Sequence, residues 1–75
     1  MEVLFFGQVT DITKTSSLLM ETCEDLNGLK SLLYKQFPNL ENAKLLIAVN
    51  NKIVHENISL NENSKISFMS PYSGG

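Results

Sequence analysis

The residues with the clearest potential for chemistry stand at the end of the sequence, which reads SPYSGG from Ser70 to Gly75. Gly74 and Gly75 have no Cβ, so the backbone there can enter a narrow channel and adopt conformations closed to other residues. The α-carboxylate of Gly75 has no side chain beside it and is sterically open to attack on an α-phosphate. An acyl-adenylate formed there can be captured by sulfur or by an amine. The sequence therefore allows a carrier whose reactive group is its own C-terminus, and it does not name the cargo.

The residues ahead of the glycines suit a docking segment at the end of a folded domain. Pro71 has a fixed φ and stiffens the base of the segment. Tyr72 provides an aromatic anchor with a polar tip, which suits a groove. Fully extended, six residues span about 20 Å. We therefore expect a folded domain over residues 1–69 and an extended, flexible tail over residues 70–75.

The other reactive side chains are isolated in the sequence. Cys23 is the single cysteine and stands beside Glu21, Glu24 and Asp25, whose negative charge disfavours a thiolate. We expect it to be a small, part-buried apolar residue. His55 is the single histidine, and its polar surroundings indicate a solvated side chain. Neither a metal-ligand cluster nor a glycine-rich phosphate motif is present, so we expect no bound cofactor, no metal and no catalytic pocket within the chain.

Composition favours one small globular domain located in the cytoplasm. The chain has 75 residues, of which 43% are hydrophobic and 19% charged, and its net charge is −2. Its six lysines are scattered and it has no arginine, which argues against nucleic acid or an anionic membrane as a partner. One cysteine cannot form an internal disulfide. The apolar run at residues 3–6 has no basic residues before it and is too short for a signal peptide or a membrane span.

Apolar periodicity predicts short strands around one main helix. Strands are expected at residues 3–6, 17–23, 45–49, 52–54 and 65–69. In the first of these and in the strand at 45–49, both faces are apolar. In the last strand, Ile66 and Phe68 share one face, because successive side chains of a strand alternate.

The helix is expected at residues 25–37. Its apolar stripe consists of Leu29, Leu32, Leu33 and Phe37. Asn27 or Gly28 can cap its start, and Pro38 ends it because proline disfavours helical geometry in the residue before it.

The connections between these elements also carry signals. Val9 and Ile12 are three residues apart and allow one short helical turn after the first strand. Asn50 and Asn51 tolerate positive φ, so this pair suits a two-residue hairpin turn. Residues 58–60 indicate only a weak edge segment.

These elements predict an α+β roll, in which a mixed sheet of four or five strands carries one main helix across one face. One helix covers only one face of a sheet, whereas two of the strands are apolar on both. Two interpretations remain open for the second face. Either it carries an exposed apolar patch that a partner covers, or loops and the segment at 58–60 cover it.

Three stretches give the sequence a resemblance to a known family. They are VLFFGQV at residues 3–9, KLLIAVN at residues 44–50 and FMSPYSGG at residues 68–75. The sequence resembles the small, sulfur-carrying subunit of molybdopterin synthase, a β-grasp (ubiquitin-like) protein, over nearly its whole length. The terminal Gly-Gly is shared by all ubiquitin-like carriers, whereas the combination of VLFF, AVN and PYSGG is more specific.

The resemblance implies a fold with its first and last strands side by side in parallel. It also implies that an E1-like adenylyltransferase consumes ATP to adenylylate Gly75, and that a sulfur donor of the cysteine desulfurase or rhodanese type supplies sulfur for a thiocarboxylate. The tail positions Pro71, Tyr72, Ser73, Gly74 and Gly75 would insert into the large synthase subunit within a heterotetramer. That subunit would hold the catalytic pocket, and Gly75 would deliver sulfur to cyclic pyranopterin monophosphate to form the molybdopterin dithiolene.

The sequence departs from the family pattern near the tail and after the first strand. Many relatives have Pro-Pro where this chain has Ser70 and Pro71, and a common Arg and a common Gly are Thr10 and Lys14 here. Three alternatives stay open: a sulfur carrier for thiazole formation in thiamine synthesis, a ubiquitin-like modifier that thiolates tRNA or conjugates to protein, and an interaction module without sulfur chemistry. The thiazole carriers join their first two strands by a shorter turn than residues 8–16 make here.

Overall fold

The fold is a five-stranded sheet with one long helix, as seen in a computed structural model that describes residues 1–71. In chain order the elements are β1 (Glu2–Phe5), α1 (Val9–Thr13), β2 (Ser17–Leu19), α2 (Leu26–Gln36), β3 (Leu46–Val49), β4 (Lys52–Val54) and β5 (Lys65–Met69). A 3₁₀ turn at Pro38–Leu40 follows α2. These elements confirm the predicted α+β class.

The strand order in the sheet is β2-β1-β5-β3-β4. The central pair, β1 and β5, is parallel, and the other three pairings are antiparallel. The first and last strands therefore lie side by side, which is the mixed β-grasp sheet expected from the resemblance.

Side chains from one face of the two central strands form the middle of the core. Val3 and Phe5 of β1 lie beside Ile66 and Phe68 of β5 in register, and none of the four is more than 1% exposed. The Phe5 ring packs against Phe37 in an edge-to-face arrangement with centroids 6.2 Å apart. Because Ile66 and Phe68 are both buried in this core, the prediction that they share one face of the last strand is confirmed.

Helix α2 covers this core with a stripe that differs in part from the predicted one. Leu26, Leu29 and Leu33 are buried, whereas Leu32 is 48% exposed. The inclusion of Leu32 was wrong because adjacent residues of a helix point about 100° apart, and Leu33 already faces the core. Among residues 1–71, no helix has the length and apolar content that crossing a membrane requires.

The residue that caps the start of α2 is Asp25 and not one of the two predicted residues. Asp25 has extended geometry, and its carboxylate accepts a hydrogen bond from the backbone N–H of Gly28 at 2.9 Å. Neither Asn27 nor Gly28 is the N-cap, since both lie within the helix. Phe37 ends α2 and Pro38 begins the 3₁₀ turn, as the proline rule predicts.

One predicted strand is shorter than expected, and the predicted edge segment lies outside the sheet. β2 ends at Leu19, because its partner β1 begins at Glu2 and only Met1 remains to pair with Met20. Residues 58–60 do not join the sheet. The Leu26 N–H donates to the Ile58 carbonyl at 2.9 Å, so this segment covers the start of α2.

The two predicted connections are confirmed. Asn50 and Asn51 have φ of 51° and 71° and join β3 to β4, as a two-residue hairpin requires. The turn after the first strand is α1, which ends at Lys14 in the left-handed region with φ of 61°. This lysine therefore accepts a conformation that glycine adopts more easily.

Candidate functional site

The chain leaves the sheet from its central strand. β5 lies between β1 and β3, and the ladder continues to the end of the strand, where Met69 pairs with Leu46. The Phe6 N–H also donates to the Phe68 carbonyl at 3.0 Å. Ser70 is half-buried and Pro71 is exposed. Because strands on both sides hold β5, the position and direction from which the tail starts are fixed.

The predicted tail site falls mainly beyond this point. Of its five residues, only Pro71 is placed, and it lies exposed at the end of the described chain. Tyr72, Ser73, Gly74 and Gly75 lie outside the described residues. Their assignment, and the domain boundary between residues 69 and 70, stay predictions.

The sheet face opposite α2 carries an apolar groove of about 410 Å³. It is lined by Leu4, Phe6, Ala48, Asn51, Ile53, Lys65, Ser67 and Met69. We call this surface the open-face groove. Phe6 is 49% exposed and Ile53 is 48% exposed, so large apolar side chains on this face meet solvent.

The register of the sheet explains the shape of the open-face groove. Ala48 of β3 pairs with Ser67 of β5 and with Ile53 of β4, so these three side chains form one row across the sheet. Leu4 of β1 continues the row beyond Ser67. Ala48 and Ser67, which lie between Ile53 and Leu4, are small and leave a depression between larger neighbours such as Phe6. Residues 58–60 pack against the start of α2, so they do not cover this face. An uncovered apolar face is typical of a surface that binds a protein.

The isolated reactive side chains do not form a second site within residues 1–71. Cys23 is 8% exposed, and its thiol lies 3.9 Å from the Glu21 carbonyl oxygen, which confirms a buried small residue. His55 is exposed beside a polar groove with Lys30 and Glu56. In the described part of the chain, no group of three or more His, Cys, Asp or Glu side chains could hold a metal ion.

Sequence reasoning predicted an apolar second face but missed most of the residues that form its groove. Ile53 stands in a strand whose two faces were not assigned in advance, and Met69 was not named as part of the second face although Ile66 and Phe68 had been assigned to the other one. The available signal was the pairing register: once the Asn50–Asn51 turn is accepted, Ala48 must lie opposite Ile53. The position of β5 between β1 and β3 then adds Ser67 to the same row, and only the fold supplies that information.

Comparisons with known proteins agree with this geometry. The chain matches the family model described as the ThiS family over residues 3–75. It is also similar to a chain in a solved structure titled as the protein–protein complex of subunits 1 and 2 of molybdopterin-converting factor from Helicobacter pylori 26695. The two chains are 27% identical with a TM-score of 0.75, and the match covers 99% of this chain and 96% of that one.

The family match and the structural match both extend over almost the whole chain, and the observed mixed sheet with one main helix is the fold they share. The chain belongs to the ThiS family and is a β-grasp sulfur carrier of that type.

Proposed function

We propose that this chain is the sulfur-carrying subunit of a molybdopterin synthase and that Gly75 carries the sulfur. The observation that carries this proposal is the similarity to a chain in the complex of molybdopterin-converting factor subunits, at 27% identity over nearly the full length of both chains. The family match, which extends to residue 75, supports a role for the terminal residues.

The proposed chemistry takes place on the terminal carboxylate. An E1-like adenylyltransferase transfers AMP from ATP to the carboxylate of Gly75 and releases pyrophosphate. The outer sulfur of a persulfide on a donor protein then displaces AMP and gives an acyl disulfide. A thiol cleaves its S–S bond, which releases the thiocarboxylate and leaves the donor sulfur and the thiol joined as a disulfide. The terminal sulfur attacks a carbon of cyclic pyranopterin monophosphate and forms a C–S bond in place of a C–O bond, whose oxygen leaves. Hydrolysis of the resulting thioester returns Gly75 to a carboxylate while the sulfur stays on the pterin. Both glycines lack a Cβ, so neither blocks these approaches.

The partner that we propose for the open-face groove is the large synthase subunit. Met69 lines the groove and also ends the strand from which the tail starts, so one protein can cover the groove and receive the tail. The large subunit would supply the pocket in which sulfur is transferred, with Tyr72 as an anchor in its channel. The assembly expected from the resemblance is a heterotetramer with the large subunit.

The main rival is a sulfur carrier for thiazole formation, which uses the same fold and the same thiocarboxylate. Here the link between β1 and β2 contains α1, and this longer link favours the molybdopterin assignment. The choice between the two pathways is therefore the point that the experiment must decide.

The deciding experiment deletes Gly75 in the host organism. Deletion is expected to abolish molybdenum-cofactor synthesis and to leave thiamine synthesis intact, because only the former would depend on this carrier. The reverse phenotype would assign the chain to the thiazole pathway. Intact-mass spectrometry after co-expression with the activating enzyme supplies the chemical readout, which is exchange of one oxygen for sulfur. A variant with one extra residue after Gly75 is the matched control and should stay unmodified.

A further inference from the structure

The first turn of α2 contains a dipeptide with chemistry of its own, Asn27-Gly28. Asparagine followed by glycine is prone to deamidation, because glycine has no Cβ to hinder attack of its backbone nitrogen on the asparagine side chain. Of the eight asparagines in the chain, Asn27 is the only one that precedes glycine. Its side chain is exposed and lines the polar groove beside His55, so water and base reach it.

The backbone conformation does not require glycine at position 28. Gly28 lies inside the helix, and the glycine with positive φ in the described part of the chain is Gly7. In a helix interior, glycine is less favourable than alanine. What glycine provides here is space, since a Cβ at Gly28 would lie 3.2 Å from a carboxylate oxygen of Asp25. The capping carboxylate can therefore approach closely, and a reactive asparagine comes with that arrangement.

Side chains alone hold the backbone N–H groups of this dipeptide. The Gly28 N–H donates to the Asp25 carboxylate at 2.9 Å. The Asn27 N–H donates to the side-chain oxygen of Asn57 at 2.8 Å. Neither bond belongs to the helix ladder, whose first bond runs from the Leu29 N–H to the Asp25 carbonyl. We call these two side-chain contacts the side-chain cap, and a helix end that depends on such contacts opens more readily than a helix interior.

The side-chain cap opposes deamidation while the helix is closed. The reaction begins when the Gly28 nitrogen loses its proton and attacks Cγ of Asn27. In the closed helix that proton lies in the hydrogen bond to Asp25, and an anionic nitrogen would face the negative carboxylate at 2.9 Å. Ring closure also needs rotation about the Cα–C bond of Asn27, away from the helical value of ψ. The first turn must therefore open before the reaction can proceed.

We propose that Asn27 is a site of spontaneous deamidation whose rate is set by opening of the side-chain cap. In the open state the deprotonated nitrogen of Gly28 forms a bond to Cγ of Asn27, and the side-chain nitrogen takes up a proton and leaves as ammonia. Water then opens the cyclic imide. Cleavage of the bond from nitrogen to Cγ gives aspartate, and cleavage of the bond from nitrogen to the backbone carbonyl carbon gives isoaspartate. The reaction is independent of the sulfur chemistry proposed above.

Isoaspartate at position 27 alters the start of the helix permanently. The main chain then runs through the side-chain carbons and is one carbon longer within the first turn. The Gly28 N–H moves out of register with the Asp25 carboxylate, so the product keeps the first turn open. Because hydrolysis of the imide does not restore asparagine, the modified fraction rises with the age of the protein.

The first test compares the parent chain with Asn57→Ala in mildly alkaline buffer. Peptide mapping by mass spectrometry and chromatography separates Asn, Asp and isoaspartate at position 27. Asn57→Ala removes one hydrogen bond to Asp25 and one from the Asn27 N–H, so deamidation should be roughly tenfold faster. Asn63, which precedes serine in the turn before β5, is the internal reference and should react equally in both chains. Equal rates at Asn27 would overturn the proposal.

Amide hydrogen exchange at Gly28 measures the same opening without any reaction at Asn27. The exchanging N–H is the one that Asp25 holds, so its exchange in Asn57→Ala should accelerate by the same factor as deamidation. Exchange that stays at the parent rate while deamidation rises would contradict the opening step.

Two further variants separate local opening from global unfolding. Ile66→Val shortens a buried side chain of the central strand β5 and lowers the global stability, so it should leave the Asn27 rate near the parent value. A rise as large as that in Asn57→Ala would assign control to global unfolding and overturn the role of the cap. Gly28→Ala, added to Asn57→Ala, supplies the Cβ that hinders ring closure and should return the rate to about the parent level. Fast deamidation that persists in this double variant would show that the Gly28 nitrogen is not the nucleophile.

Discussion

The carboxylate of Asp25 joins the start of α2 to the loop that precedes β5. The side-chain amide of Asn57 donates to one oxygen at 3.1 Å, and the Gly28 N–H donates to the other at 2.9 Å. The amide oxygen of Asn57 accepts from the Asn27 N–H at 2.8 Å. Hydrogen bonds favour the ionised carboxylate, so the bond from Asn57 and then the bond from Gly28 lower the pKa of Asp25 from its ordinary value of 3.8.

This pKa shift predicts an acid-dependent loss of stability. Because the folded-state pKa lies below the unfolded value, Asp25 contributes stability that is complete above the unfolded pKa of 3.8 and is lost as the pH falls through the folded pKa. Asp25→Ser keeps an N-cap hydroxyl but removes the titration. Urea unfolding of both chains should show the largest stability difference near pH 7 and a smaller one at pH 3. A difference that does not change with pH would show that the ionised carboxylate contributes nothing.

Single residues also show where local sequence rules succeed. Asn50 and Asn51 were predicted to turn because asparagine tolerates positive φ, and this local property decides the outcome. The helix cap could not be chosen in the same way. Asp25, Asn27 and Gly28 are all cap-forming types, and the contact of Asp25 with Asn57, 32 residues away in sequence, distinguishes it. Such a contact is known only when the fold is known.

At the scale of elements, the open face of the sheet and the outer face of α2 offer a matched pair of substitutions. Ile53 of β4 and Leu32 of α2 are both 48% exposed, and Ile53 lines the open-face groove. We expect Ile53→Asp to weaken binding of the large subunit by roughly tenfold or more, because an unpaired carboxylate would be buried at the interface. Leu32→Asp should bind as the parent chain does. Isothermal titration calorimetry with the purified large subunit measures both.

The control for folding is the thermal midpoint of each variant in the absence of the partner. Both sites are half-exposed, so the two substitutions should lower the stability by similar and small amounts. Equal loss of binding in Ile53→Asp and Leu32→Asp would contradict the assignment of the open face. The same holds if Leu32→Asp alone loses affinity, since the partner would then lie on α2.

The lengths of the elements were less predictable than their existence. The helix and all five strands were expected from apolar patterns, and each is present over residues 1–71. The strand expected at residues 17–23 ends at Leu19, since β1 offers no partner beyond Met1. Segment 58–60 has an alternating pattern but packs on α2 instead of joining the sheet. A strand ends where its neighbour ends, and a sequence read in one dimension does not contain that information.

The topology of the whole molecule separates the role of the last strand from that of the tail. β5 lies in the middle of the sheet, and it contributes two residues, Ile66 and Phe68, that are 0% exposed. Its backbone pairs with β1 on one side and β3 on the other. The strand closest to the end of the sequence is thus essential to the core, and the functional residues proposed for the tail follow within six positions of it.

Two truncations test this separation. Removal of residues 65–75 should abolish cooperative unfolding, because both central ladders and the buried phenylalanine at position 68 are lost. Removal of residues 73–75, which spares Tyr72, should change the stability by less than about 0.3 kcal/mol, or roughly 2 °C in Tm for a domain of this length. Circular dichroism melts and amide NMR spectra measure both. A clear loss of stability in the shorter truncation would move the domain boundary beyond residue 69 and make the terminal glycines part of the fold, where they would no longer be available for transfer chemistry.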